Sequence, residues 1–433
     1  MSTSRRGLLV GTGMLAAGAA ASARAAVDPA AAGGDAAWLQ GVLERFAGFG
    51  IKASGGPGDT ASGAWVEGDL TALGYRCERQ AFETPDADVR TATLKVGERT
   101  ASVYPQAIVK TTGPGGLSGP LKLAATPGSL EGAIALIVLP FKRWGFIGDP
   151  DVARPLTDAF ARGAAAAVLV TTGPTREVIA LNVHPTQPGH AKPVATLAPR
   201  DAEPFVAAAA AGQAATLTVD AVVGRRAAYN VIARLDRGAK KTLIVTTPRS
   251  GWFTCAAERG AGLAVWLSLA HWLAAAKPRV NLEFVATSGH EYIYYGGEQY
   301  LEHHAPKPAD THLWVHIGAS AAARDWHEFG QTLRPLPTPD SSRVLTATPQ
   351  VIEATRRAFK GISGLEAVYP ADRANAGGEL VNVIEAGYTP AIGLYGGHRF
   401  FHTPGDDMRC VSGELVAPVA KAFRAAVAAS LPA

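Results

Sequence analysis

The chain has 433 residues, 47% hydrophobic and 18% charged, with a formal net charge of +4. That is enough apolar material for a sizeable core and excludes a disordered chain. No Lys/Arg block stands out, and Arg5 and Arg6 belong to an N-terminal leader, so nucleic acid is not an expected partner. The leader, MSTSRRGLLVGTGMLAAGAAASARAAVDP, sets the arginine pair before a mildly apolar run and small residues suited to cleavage near Ala23-Arg24-Ala25. It reads as a twin-arginine-type signal over residues 1–25, with mature protein from about Ala26 exported to the periplasm or secreted. Gly and Ala outweigh Leu there, so no stable membrane span is expected after cleavage. Cys77, Cys255 and Cys410 are odd in number and fit no zinc knuckle; one disulfide suits an oxidising compartment, and its pairing stays open.

Ala37–Phe49 has helical spacing, Gly50–Gly63 reads as a Gly-rich loop, Ala64–Leu73 as a second helix and Tyr75–Phe82 as a strand. From 108 to 223 the texture changes to turns, the buried strand Ala133–Leu139, a helix near Leu156–Arg162, two more apolar strands and an Ala-rich helix. Beyond it, strands Tyr229–Leu235, Lys241–Thr247, Val280–Ala286, Leu313–Ile317 and Pro390–Tyr395 alternate with helices Gly262–Ala276, Gly297–His304, Val351–Phe359, Leu380–Glu385 and Ser412–Leu431. Strands alternating with helices predict a largely parallel sheet covered on both faces.

Several landmarks then fall in a telling order: LGY ending the second helix, YNVIARL, an IVTT strand, a GAG helix start, GHEYIYYGGEQY and HTPGDD. From about Ala37 to the C-terminus the chain resembles the M28 family of zinc aminopeptidases, in the variant with an inserted protease-associated (PA) domain. The resemblance implies a zinc-exopeptidase-like α/β fold, a three-layer, mainly parallel or mixed sheet flanked by helices. It implies a peptidase domain over 35–107 and 224–433 and a PA-like insert over 108–223. Asp372-Arg373 stands where that family usually has Asp-His.

The family uses two zinc ions, a bridging carboxylate and a glutamate base, because hydroxide is made at neutral pH only beside such cations. Carried over by position, Pro248 replaces the first histidine ligand and Ser250 an orienting aspartate. Glu258 takes the place of the bridging aspartate, and His290 that of the base. Glu291 and His402 are retained ligands, and His316 replaces an aspartate. The expected metal set is Glu258, Glu291, His316 and His402, holding at most one zinc ion, with His290 as catalytic proton shuttle. Arg249 and Arg259 would hold an anionic group, with Trp252 lining the ligand pocket. Three functions are compatible with this: an exported hydrolase of peptide or amide bonds, an inactive relative binding a small peptide or amide-containing ligand in the old cleft, or different chemistry such as cyclisation.

Overall fold

The computed structural model describes residues 33–330 and 332–432; the leader and its cleavage region lie outside them. The first helix, α1 (Ala36–Gly48), buries Leu39, Val42, Leu43 and Phe46 at amphipathic spacing, and Asp35 caps it by accepting from Trp38 N at 2.8 Å. Next comes α2 (Pro57–Ala72), which begins seven residues earlier than expected: Gly56 is its N-cap and Pro57 supplies a preset first turn inside what reads as a Gly-rich loop.

Then follow β1 (Arg76–Val96), β2 (Arg99–Pro105), β3 (Leu117–Leu123), β4 (Ile134–Val138), α3 (Pro150–Ala161), β5 (Ala166–Val170), β6 (Val194–Leu197), α4 (Pro199–Ala210) and β7 (Ala214–Leu235). The remainder is β8 (Thr242–Pro248), α5 (Gly260–Ala276), β9 (Asn281–Thr287), α6 (Tyr295–His303), β10 (Thr311–Ile317), β11 (Arg324–Phe329), β12 (Thr332–Pro339) and β13 (Arg343–Ala347). It closes with α7 (Ile352–Ala358), β14 (Val368–Pro370), α8 (Leu380–Glu385), β15 (Ala391–Gly396) and α9 (Gly413–Ala428).

The C-terminal half of the sheet runs β7-β9-β8-β10-β15-β13-β14. Its centre, β9-β8-β10-β15, is parallel, while β7 and β13 pair antiparallel to it. One face is covered by α1, α2, α5 and α9 around Leu43, Phe46, Trp266, Phe284 and Phe423. The other is covered by α6 and α8 around Tyr300, Trp314, Leu380 and Val383. This is the expected three-layer α/β arrangement. The two long strands β1 and β7 pair antiparallel from Arg76↔Arg234 to Val96↔Ala215. Their far ends join β2, β6, β5, β4 and β3 in succession, and β3 returns to β7, so seven strands close a ring. Leu94, Val103, Ile134, Val168, Phe205 and Leu217 are among the side chains of its own core. The three cysteines are free thiols, with Cys255 and Cys410 buried.

Candidate functional site

The carboxyl ends of β8, β9, β10 and β15 face one region, the place where open α/β sheets build their sites. Pro248, Arg249 and Ser250 follow β8, and Ser288 to Glu291 follow β9. His316 closes β10, and His398 and His402 lie in the turn after β15. The GHEYIYYGG turn is tight: a Cβ on Gly296 would stand 1.9 Å from Ser288 O, so only glycine fits. Ile293 and Tyr294 are both left-handed, a conformation β-branched residues avoid.

At the centre stands Arg259. Its Nη2 is 2.7 Å from Glu258 Oε1, an ion pair with both side chains essentially inaccessible. Its Nε donates to Ser250 O at 2.9 Å, and Nη1, though buried, has no hydrogen-bond partner. His402 Nε2 lies 3.1 Å from the same Glu258 oxygen. Its Nδ1 is the proton donor to Ala180 O at 3.0 Å, since a carbonyl only accepts. Burial works against charge on Glu258, but Arg259 and then His402 outweigh it and hold the carboxyl at about 2. Glu258 Oε2 has no hydrogen-bond partner.

The histidines answer the same cation. His316 is driven down to about 3 by burial and then by Arg259. Thr246 Oγ1 accepts from Trp314 Nε1 at 3.1 Å and lies 2.9 Å from His316 Nδ1. A hydroxyl oxygen has two lone pairs, so Oγ1 is able to accept from Nδ1 as well as donate to it, and His316 Nε2 is buried with no hydrogen-bond partner among the described residues. His290 falls well below the usual imidazole range, first through burial and then through Arg259, His402 and His316. Its Nδ1 is 3.2 Å from Glu379 Oε1, and Thr287 Oγ1 donates to both Glu379 oxygens at 2.9 and 3.0 Å. Burial lifts Glu379 to about 7.

The other expected site residues are placed elsewhere. Glu291 is buried and already bonded: Ser54 N and Oγ donate to Oε1 and Oε2 at 2.9 and 2.7 Å, and Ser250 Oγ donates to Oε2 at 2.7 Å. Arg249 is sealed in the core, with Nε 3.0 Å from Asp59 Oδ1 and its Nη atoms donating to Ala286 O and Tyr229 O. All three of its nitrogens are engaged with these core partners and the side chain is fully buried, so the structure sets it in the core rather than toward a ligand. Trp252 Nε1 donates to Asn182 Oδ1 at 2.7 Å. The Trp252 ring, with Tyr104, Ser54 and Tyr292, lines a cavity of about 160 Å³. Pro248 is buried at the strand end.

Zinc is the group that the resemblance implies, and the donor set does not fit the family's pair of ions. One oxygen of the bridging carboxylate faces a fixed guanidinium, Pro248 offers no ligand atom, and Glu291 is already held by Ser54 and Ser250. Among the described residues, one group of three potential ligands has all its ligand atoms within 4.8 Å, and it is His398, Asp406 and Cys410, not the expected four. Glu379, His398 and Asp406 are thus site residues that the sequence reading missed. Only Asp406 had a signal, in HTPGDD. Asp372 instead turns inward on its own loop, accepting from Ala374 N and Asn375 N, and Arg373 is exposed.

The fold is shared with solved aminopeptidases, a metal-dependent peptide hydrolase fold. A zinc aminopeptidase of Bacillus subtilis superposes with a TM-score of 0.71 at 18% identity, over 92% of this chain and 95% of that one. An M28 peptidase precursor of Shewanella amazonensis gives 0.70 at 19% identity, over 90% and 92%. An aminopeptidase from Aneurinibacillus sp. strain AM-1 gives 0.64 at 18%, over 92% and 94%. Residues 230–427 match the model of peptidase family M28. No curated protein matches the chain. No described helix is long and apolar enough to cross a membrane.

Proposed function

We propose that the cleft binds a short peptide or another amide-containing ligand carrying an anionic group, with Arg259 supplying the positive charge that zinc supplies in the family. One observation carries this reading: Arg259 Nη1 and Glu258 Oε2 are both buried without hydrogen-bond partners among the described residues, a donor and an acceptor on one ion pair. Buried polar atoms left unmatched cost about 1–3 kcal/mol each, which a ligand carboxylate on Nη1 and an amide or ammonium N–H on Oε2 would recover. The guanidinium on Glu258 and the missing first histidine argue against the family's two-zinc hydrolysis. Export through the twin-arginine leader, and a PA-like identity for the ring-forming insert of about 108–223, belong to this proposal and rest on the sequence.

The test is calorimetric titration of a dipeptide panel against the matching C-terminal amides, alongside an aminoacyl reporter assay with and without added zinc. Free carboxylates should bind about tenfold or more tighter than the amides, and Arg259→Lys, which keeps the charge but loses the planar fork, should erase most of that preference. Equal binding of acids and amides by the wild type would sink the anionic reading. Zinc-dependent turnover would restore the hydrolase reading.

A further inference from the structure

Behind Glu258 lies a second cluster that this cleft chemistry does not use. His398, Asp406 and Cys410 are fully buried, and one ligand atom from each lies within 4.8 Å of the others. The turn that follows β15 supplies all three, so they are brought together by local chain reversal as well as by packing. His398 is oriented from behind: its Nδ1 is 3.0 Å from Ser320 Oγ. This leaves Nε2 facing Asp406 Oδ1 at 3.4 Å with no hydrogen bond. Asp406 is fixed by two backbone donors, Ala257 N to Oδ1 at 2.8 Å and Glu258 N to Oδ2 at 3.0 Å, and each oxygen keeps a lone pair. Cys410 Sγ is otherwise met by Gly405 O at 3.4 Å.

An oriented imidazole with its far nitrogen free, a carboxylate held by N–H groups and a thiol form the surroundings that second-shell bonds build around a metal. Nitrogen, oxygen and sulfur donors together suit zinc. Charge agrees: one thiolate and one carboxylate neutralise a dication, so the loaded site is neutral in a buried place where net charge is costly. We infer that His398, Asp406 and Cys410 form a zinc site of this chain, distinct from the family's cleft ligands. It clamps the turn after β15 to the loop that presents Glu258 and Arg259, since Asp406 accepts from Ala257 N and Glu258 N on that loop. Three protein ligands leave one coordination position for a water. Loading releases the thiol proton to solvent, and no oxidant or reductant is needed.

Cobalt substitution reads the sulfur directly. The full chain, produced in zinc-depleted medium and titrated with cobalt(II), should bind one ion with a sulfur-to-cobalt charge-transfer band in the near ultraviolet. Cys410→Ser should lose the band, while the cleft variant His402→Gln should retain it. Zinc should displace cobalt and abolish the band. Failure of the wild type to bind cobalt, binding without the band, or a band surviving in Cys410→Ser would each overturn the assignment. The wild-type spectrum decides even if Cys410→Ser does not fold. Because the cleft proposal is read by peptide affinity and this one by a thiolate spectrum, either can fail alone.

Discussion

Glu379 carries no motif of its own, yet it has one of the most informative environments in the cleft. Burial raises it from an ordinary 4.5 to about 7, while its neighbour His290 is pushed down and stays neutral at neutral pH. The native protein therefore holds the Glu379 proton more tightly than the unfolded chain does. Its contribution to stability is full below about pH 4.5 and is lost as pH rises through about 7, a swing of at most about 3 kcal/mol. His290 works in the opposite sense: its depressed value contributes stability above its ordinary 6.5 that is lost as pH falls, so the wild-type profile mixes the two. Subtracting a Glu379→Gln profile isolates the acid. Urea denaturation from pH 4.5 to 8.5 should show the wild type losing stability relative to Glu379→Gln as pH climbs. A constant difference would mean that Glu379 does not titrate there.

At the scale of elements, the segment between β5 and β6 reaches the cleft through backbone as much as side chains. Ala180 N donates to His402 O, Val183 N to Glu291 O, and Gly405 N to Glu177 Oε2, at 3.0, 3.0 and 2.8 Å. Such contacts are invisible in a sequence because every residue has a carbonyl and nearly every one an N–H. What was legible were long apolar runs with a clear period, such as α5, β8 and β9, and the order of landmarks around GHEYIY and HTPGDD. What was not legible has physical causes. The strand β1 runs on past Phe82 through polar residues and Pro85, and the β11–β12 hairpin is largely exposed, with Pro335, Pro337 and Pro339 in one strand. Position in a motif also fixes a residue's place on the chain but not where its side chain points, and so Glu291 turned to Ser54. Asn182→Ala should leave the buried Trp252 N–H unmatched and cost about 1–3 kcal/mol. Hydrogen exchange should quicken over 177–183 while the amides of α5 stay protected. Unchanged exchange over 177–183 would mean that the Asn182–Trp252 bond does not hold this segment.

On the scale of the whole molecule, one buried ion pair ties α2, β7 and β9 to the turn after β8. Arg249, just after β8, meets Asp59 of α2 at 3.0 Å, donates to Tyr229 O of β7 and Ala286 O of β9, and lies over the Tyr229 ring at 4.8 Å. Asp59 in turn accepts from Gly55 N and Ser288 Oγ, at 2.8 and 2.7 Å, and so steadies the residue two before His290. Breaking such a pair by removing one partner strands a charge in the core and costs about 3–5 kcal/mol, whereas replacing both partners with apolar groups is often far milder. Asp59→Ala should therefore lower stability to urea by about that amount, and the double variant Asp59→Leu/Arg249→Met should recover a large part of it. Ligand affinity, measured where each variant is still folded, separates structure from binding. Arg249→Met paired with Asp59→Leu should leave the preference for a ligand carboxylate in place, because that preference belongs to Arg259. If the double variant folds but no longer discriminates acid from amide, Arg249 reaches the ligand after all, and the division between a structural arginine and a cleft arginine is wrong.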